Sequence, residues 1–278
     1  MLRRIIVISA VGVLAVPASA AAAQPQHLKF EDMPGKSVVI SHRDGRTVAA
    51  ALFGPVSQRS PVKLVYTQKH GVLKGRFVVC FPIGQIDGTI KGKYRKAADG
   101  SVRYSGALRI KGGSEAMTSS KGTGSITGKR QAGDRVTNWK VSVDMRYTPK
   151  PDDSNGDGGF TLEGASWKSA VVDIPDGHAF SAGIADMRDL PQNPLRGNHT
   201  VEGNRIDGET VICTPMGKVF IEATSHYTID SKGTAHFSGT WHTTHGTFRL
   251  KNLNERGTVT GTQRKGSRIA SFKLRVAN

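Results

Sequence analysis

VRYSGALRI, residues 102–110, alternates apolar and polar side chains around a central glycine, and AHFSGTWHT, residues 235–243, repeats the alternation 133 residues later. Successive side chains of a β-strand point to opposite faces of its sheet, so this period of two predicts a strand that buries one face. The inward positions are Val102, Tyr104, Leu108 and Ile110 in the first stretch and Ala235, Phe237, Trp241 and Thr243 in the second. Gly106 and Gly239 interrupt that face at the same point, as a bend in a curved sheet requires.

The alternation belongs to a long internal repeat. VVCFPIG, residues 78–84, recurs as VICTPMG, residues 211–217, and the register continues without a gap to Val143 and Val276. A repeat of this length indicates two copies of one folding unit. We place the first copy at residues 27–147, a linker at residues 148–159 and the second copy at residues 160–278. Each copy has about 120 residues, which is enough chain for a core of its own.

Each copy has the pattern of an all-β domain. Turn residues recur roughly every 8 to 12 positions between short runs rich in β-branched and aromatic side chains. In the first copy the runs predict eight strands, near residues 37–42, 47–53, 62–68, 75–81, 86–96, 101–110, 123–130 and 136–147. A long antiparallel sheet tends to close, because closure removes its exposed edges. The sequence therefore predicts two tandem antiparallel β-barrels of about eight strands each, with two β-sandwiches as the alternative.

Two of these stretches carry a family resemblance. YSGALRIKGG, residues 104–113, followed by GTGSITG, residues 122–128, resembles secreted bacterial proteins with allene oxide cyclase or dirigent-like barrels. FSGTW, residues 237–241, with GTVTG, residues 257–261, repeats that pattern, and part of it also resembles avidin. The resemblance implies a barrel fold. It also implies an alternative function, an isomerase- or cyclase-type enzyme with its site inside one barrel, and no catalytic or ligand-binding residue is carried over from it.

Residues 1–23 predict a secretory signal peptide. Arg3 and Arg4 precede an apolar run from Ile5 to Val16, and small residues suitable for cleavage follow it. The run is shorter than the ~20 residues of a membrane-spanning helix, and no later stretch reaches that length. We therefore expect a mature chain without a transmembrane segment, located in the extracellular space or the periplasm.

The chain is strongly basic, with a net charge of +17, of which the signal peptide carries two charges. A charge of this size favours anionic partners such as acidic cell-envelope polymers, although solubility alone would explain it. The basic residues are dispersed, which argues against a specific nucleic-acid partner. The residues that we expect to contact an anionic polymer lie on the predicted outer faces: Arg103, Arg109, Lys140, Lys273 and Arg275.

Cys80 and Cys213 occupy equivalent positions in the two copies. An exported protein with two cysteines usually pairs them. Cys80 lies on the same face of its strand as Val78, and Cys213 on the same face as Val211, and both copies keep these residues apolar. This shared apolar face predicts that both sulfurs point into their barrels. Cysteines inside separate barrels cannot bond, because their Cα atoms must lie within about 7 Å. Either each sulfur is sealed in its own core, or the two meet on a pseudo-twofold axis that relates the copies.

Histidines are concentrated in the second copy, on the two arms of a predicted hairpin. Depending on the register, His226 faces His236 or Ser238 across the hairpin. Directly opposed side chains have Cβ atoms ~5 Å apart, so His226 and His236 are candidate metal ligands. The first copy has lysine and arginine at the equivalent positions, which favours a polar outer face instead.

The linker contains a calcium-loop pattern. DSNGDGGF, residues 153–160, resembles the first eight positions of an EF-hand or dockerin loop, with oxygen ligands at Asp153, Asn155 and Asp157. The twelfth position, which normally supplies a bidentate carboxylate, is Gly164. Calcium is the one cofactor that the sequence suggests, and the alternative is a flexible acidic linker of the same composition.

The sequence contains no Gly-x-Ser-x-Gly motif, no phosphate-binding glycine loop and no zinc-spaced cysteine pair. We therefore name no catalytic residue and expect an exported binding protein. Its ligand is either an anionic cell-envelope polymer on the basic outer faces or a small apolar molecule inside a barrel. The second option requires a cavity. Interiors filled by Leu108, Trp139, Trp241 and Phe272 would exclude both that option and the enzyme.

Overall fold

The computed structural model describes residues 24–55, 59–150, 159–188 and 190–277. These residues form two closed eight-stranded antiparallel barrels, one for each copy of the repeat. The prediction of two tandem barrels is confirmed, and the sandwich alternative is wrong. The predicted signal peptide, residues 1–23, lies outside the described residues, and so do residues 151–158 of the predicted linker.

Strands follow one another around each barrel in chain order. The first barrel consists of Gln26–Arg43 (β1), Arg46–Phe53 (β2), Ser60–Lys69 (β3), Val72–Phe81 (β4), Gly84–Lys96 (β5), Val102–Gly113 (β6), Lys121–Arg130 (β7) and Val136–Tyr147 (β8). The second consists of Ser166–Asp173 (β9), Ala179–Met187 (β10), Leu190–Glu202 (β11), Arg205–Thr214 (β12), Gly217–Ile229 (β13), Ala235–Gly246 (β14), Arg256–Gln263 (β15) and Ile269–Val276 (β16). Strand β1 begins well before the predicted start at residue 37, because its first half pairs with the end of β8.

The alternating residues face the barrel interiors as the pattern predicts. Tyr104, Leu108 and Trp139 are buried in the core of the first barrel, and Trp241 and Leu274 in that of the second. One end of each barrel is closed by a single turn of 3-10 helix, Glu115–Met117 in the first copy and Phe248–Leu250 in the second. Met117 and Leu250, at equivalent positions, are almost completely buried there. We call this end of each barrel the plugged end.

The two barrels pack against each other through equivalent strands. Strand β1 contacts β9, β2 contacts β10 and β3 contacts β11. Contacts between strands that are not equivalent also come in symmetry-related pairs. Strand β1 contacts β10 as β9 contacts β2, and β3 contacts β10 as β11 contacts β2. Contact of each element with its own counterpart is the mark of an isologous interface about a twofold axis. The sequence repeat is therefore also a pseudo-twofold in the structure.

Small and apolar side chains at equivalent positions form the core of this interface. The pairs are Val38 and Ala170, Ile40 and Val172, Val48 and Phe180, Ala50 and Ala182, and Leu52 and Ile184. Ala50 and Ala182 are fully buried. Their methyl groups let the two sheets approach closely over the centre of the interface.

Cys80 and Cys213 meet at the interface and form a disulfide bond, with their Cα atoms 6.2 Å apart. The expectation that both sulfurs point into their barrels is wrong. In β4 the interior positions are those of Leu73 and Phe77, and in β12 the interior position is Ile212, so each cysteine projects from the outer side of its strand. The apolar parity that both copies keep in these strands therefore lies on the outer side of each barrel, where Cys80, Cys213 and Val211 are almost completely buried.

We expect the double variant Cys80→Ala, Cys213→Ala to stay folded with its barrels docked, but with a free energy of unfolding lower by about 2–5 kcal/mol. The reason is that the disulfide closes a loop of 133 residues in the unfolded chain, whereas the apolar interface survives its loss. Urea denaturation measures the difference. Each single variant should lose as much as the double variant, and a double variant as stable as the wild type would contradict the expectation.

Candidate functional sites: a cationic row and an interior cavity

Basic side chains line up across the outer face of the first barrel. In the strand pairings Arg95 lies opposite Arg103, Arg103 opposite Lys129, Lys129 opposite Asn138, and Asn138 opposite Lys36. The row thus crosses β5, β6, β7, β8 and β1, with neighbouring strands about 4.8 Å apart. Arg95, Arg103 and Lys129 are all exposed. We call these four cations, together with Asn138 between Lys129 and Lys36, the cationic row.

The row places like charges directly opposite one another, which destabilises an antiparallel pair by a few tenths of a kcal/mol or more. No carboxylate of the described residues forms an ion pair with Arg95, Arg103 or Lys129. The nearby Asp99 is held by the backbone and side chain of Ser101, which lower its pKa, and the charges of Lys129 and Arg103 contribute less. The three neighbouring cations Arg95, Arg103 and Lys129 therefore stand side by side without a direct ion-pair partner among the described residues.

At its β1 end the row reaches the junction of the two barrels. Lys36 Nζ lies 2.6 Å from Asp173 Oδ1, and the guanidinium of Arg59 contacts the other oxygen of the same carboxylate. Burial alone would raise the pKa of Asp173, but hydrogen bonds from Lys36 and Arg59 and their positive charges outweigh it and lower the pKa. Arg59 also packs over the ring of Phe180, 4.6 Å from its centroid. Asp173 is therefore neutralised within the protein.

A cleft of about 680 Å³ lies along the row at this junction. Its cationic lining residues are Lys36, Arg59, Arg103, Lys129 and Lys140, and its one acidic lining residue is Asp173. Leu52, Pro34 and Trp139 contribute apolar surface to its walls. The lining of the cleft therefore combines several cations with apolar side chains, as an anionic chain with apolar parts would require.

The residues that we expected to bind an anionic polymer do not all lie together in the structure. Arg103 belongs to the cationic row and Lys140 lines the cleft beside it. Arg109 lies six residues further along β6, about 20 Å from Arg103, and Lys273 and Arg275 lie on β16 of the second barrel. Arg95 and Lys129 were not among the residues expected from the sequence. The signal that could have found them was the pairing register of β5, β6 and β7, which puts them beside Arg103.

The second barrel has the same row in the same register but without its charges. Thr228 lies opposite His236, His236 opposite Thr262, Thr262 opposite Ser271, and Ser271 opposite Lys168. Only Lys168 is permanently charged. The cationic row is therefore a property of the first copy and not of the repeat.

The two candidate metal histidines do not face each other. The structure has the second of the two registers, in which His226 lies opposite Ser238 and His236 opposite Thr228. His236 Nε2 lies 3.0 Å from Asp230 Oδ2, within its own hairpin. Among the described residues no group of three or more histidine, cysteine, aspartate or glutamate side chains could hold a metal ion. The candidate calcium ligands Asp153, Asn155 and Asp157 lie outside the described residues.

The interiors of the two barrels differ. That of the first is packed by one continuous cluster, which includes Leu108 and Trp139. In the second, Trp241 and Phe272 also lie inside, yet a cavity of about 170 Å³ remains beside Trp167 and Phe272. The lining also includes Val171, Val201 and Arg268, which lie at strand ends, so the cavity opens at the end opposite the plugged end. We call this opening the cavity mouth.

His199 is the titratable group of the cavity wall. Its Nε2 lies 3.2 Å from Ser181 Oγ. Gly197 and Gly208 make room for the ring, since a Cβ atom on either would lie 2.2 or 2.5 Å from a ring nitrogen. Burial lowers the pKa of His199 to about 4, so the imidazole is neutral at neutral pH. His199 was not among the residues expected from the sequence, because nothing in its local sequence separates it from the other histidines.

No protein-family model, curated protein or solved structure matches the chain. In the part of the chain that the structure describes, no helix has the length and apolar composition needed to span a membrane.

We expect the protein to lose stability between pH 6.5 and pH 4 through His199. The pKa of this group falls from 6.5 in the unfolded chain to about 4 in the folded one, so the unfolded state takes up a proton first as the pH falls. The contribution of His199 to the free energy of unfolding is at most about 3 kcal/mol. It is fully present above pH 6.5 and is lost as the pH approaches 4. Urea denaturation of the wild type and of His199→Gln at several pH values measures it. A difference between the two proteins that does not change across this range would contradict the assignment.

Proposed function

We propose that the protein is an exported binding protein that holds an anionic polymer of the cell envelope on the outer face of its first barrel. The observation that supports this most directly is the cationic row, where Arg95, Arg103 and Lys129 face one another without a carboxylate between them. Such an arrangement costs stability in the free protein. An anionic chain laid across the strands would remove that repulsion and release its own counterions.

The geometry suits a linear polymer better than a single small anion. Arg95, Arg103 and Lys129 are spaced by one strand each, so successive charged groups of a chain can meet these three side chains in turn. The cleft at the barrel junction continues the row with Lys140 and Lys36 and offers apolar walls for the body of the chain. The disulfide between Cys80 and Cys213 supports the proposed location outside the cytoplasm, since such bonds persist in oxidising compartments.

The experiment exchanges the row for the residues of the second copy, in the variant Arg95→Thr, Arg103→His, Lys129→Thr. We expect its affinity for long-chain inorganic polyphosphate, and its sedimentation with purified cell walls, to fall by about 10- to 100-fold, because a surface cation contributes about 1 kcal/mol or less. Its free energy of unfolding should stay the same or rise, because like-charge repulsion is removed. A loss of binding without a loss in the free energy of unfolding would indicate that the three cations act in binding and not in folding.

The matched control removes three exposed cations from the second barrel, in the variant Arg256→Thr, Lys273→Thr, Arg275→Thr. This variant lowers the net charge equally but leaves the cationic row intact, so we expect it to bind nearly as well as the wild type. Binding should weaken in both proteins as salt is raised from 50 to 300 mM. Equal losses in the two variants, or binding that ignores salt, would count against the proposal.

A further inference from the structure

The cavity of the second barrel arises from a consistent difference between the copies. Several of its lining positions carry smaller side chains than their equivalents in the first barrel, among them His199 for Tyr66, Thr210 for Phe77, Ala223 for Ile90 and Phe272 for Trp139. Gly197, which lies beside the ring of His199, likewise replaces Leu64. Trp167 and Trp241, in place of Gly35 and Leu108, take up part of the lost volume. An eight-stranded barrel has a nearly fixed diameter, so the remainder stays as a cavity.

The cavity mouth is surrounded by exposed apolar side chains. Val171 and Val201 line it and are 40% and 52% exposed, and Ile174 and Ile229, at the same end of the barrel, are 66% and 64% exposed. In the first barrel the positions equivalent to Ile174, Val201 and Ile229 hold His42, Gln68 and Lys96. Exposed apolar side chains that gather around an opening favour entry of an apolar molecule. Compared with the first copy, the second copy therefore has both a less completely filled interior and a more apolar rim.

We propose that the second barrel binds a small, uncharged, mostly apolar molecule that carries one hydroxyl or carbonyl group. A cavity of about 150 Å³ is large enough for benzene, so the cavity of about 170 Å³ suits a single ring of similar size. Larger molecules would extend out between Val171 and Val201. This inference does not depend on the polymer-binding proposal, which concerns the outer face of the other barrel.

The polar groups of the cavity define the chemistry of the ligand. Ser181 and the neutral His199 offer hydrogen bonds to one polar group, and Thr210 and Ser225 add hydroxyls to the wall. The lining residues include no carboxylate, and their one permanent charge, Arg268, is exposed at the mouth. A charged ligand buried at His199 would therefore have no counter-ion. Without a carboxylate to orient the imidazole, the pair lacks the third member of a hydrolytic triad, which favours binding over catalysis.

The test compares three single-ring probes, phenol, toluene and benzoate, by calorimetry and by the fluorescence of Trp167 at pH 7.5. We expect phenol to bind with a 1:1 stoichiometry, toluene to bind about 10-fold more weakly, and benzoate not to bind measurably. The variant Ala223→Ile, which restores the residue of the first copy, should abolish binding by filling the cavity. The control Thr228→Ile places an isoleucine on the exposed face of the same strand and should bind as the wild type does.

A second variant covers the case in which Ala223→Ile fails to fold. His199→Phe keeps a ring in the wall but removes its hydrogen bonds, so we expect toluene binding to persist and the preference for phenol to disappear. Saturable binding of no probe by the wild type would overturn the inference, and so would undiminished binding by a folded Ala223→Ile variant. Binding to phosphatidylcholine vesicles without binding of any probe would also overturn it, and would assign the apolar rim to lipid.

Discussion

Closure of the sheet is the constraint on which the rest of this structure depends. A closed sheet of eight strands fixes both the circumference of the barrel and the space inside it. Inward side chains then either fill that space or leave a cavity, because the wall cannot collapse onto them. The first copy fills it with residues such as Leu64, Phe77 and Trp139. The second keeps the same strands and register with smaller side chains, and the same constraint preserves a void.

The outer faces of the barrels divide in a comparable way. One part of each is buried in the isologous interface, where Ala50 meets Ala182 and the disulfide joins Cys80 to Cys213. This interface constrains the sequences of both copies in the same way, because equivalent residues of the two copies contact each other across the pseudo-twofold axis. The remaining outer surface is free of that restriction. There the copies differ in charge, with Arg103 and Lys129 on one barrel where the other has His236 and Thr262.

Much of the fold could be predicted from the sequence because alternation and turns are local signals. The strands and the two barrels follow from them. The orientation of Cys80 could not be predicted in the same way, because a period of two shows that a face is buried but not what buries it. Here a second barrel buries it. The cationic row needed the register of five strands, since Arg95 and Lys129 are 34 positions apart in the chain.

The cavity could not be predicted from the sequence for a different reason. Each inward position of the second copy remains compatible with a β-strand, and no single residue indicates a void. Only the summed volume of facing side chains does so, and that sum requires the copies to be aligned correctly. The copies are offset by 132 residues in β1 and β2 and by 133 from β3 onward, so Ser181 corresponds to Ala49 whereas His199 corresponds to Tyr66. Strand β9 then joins the two parts of the molecule. Its outward residues Ala170 and Val172 pack against the first barrel, its inward residues line the cavity, and Asp173 at its end binds Lys36 of the cationic row. One strand therefore holds the interface, the cavity wall and the end of the charged row in fixed relation.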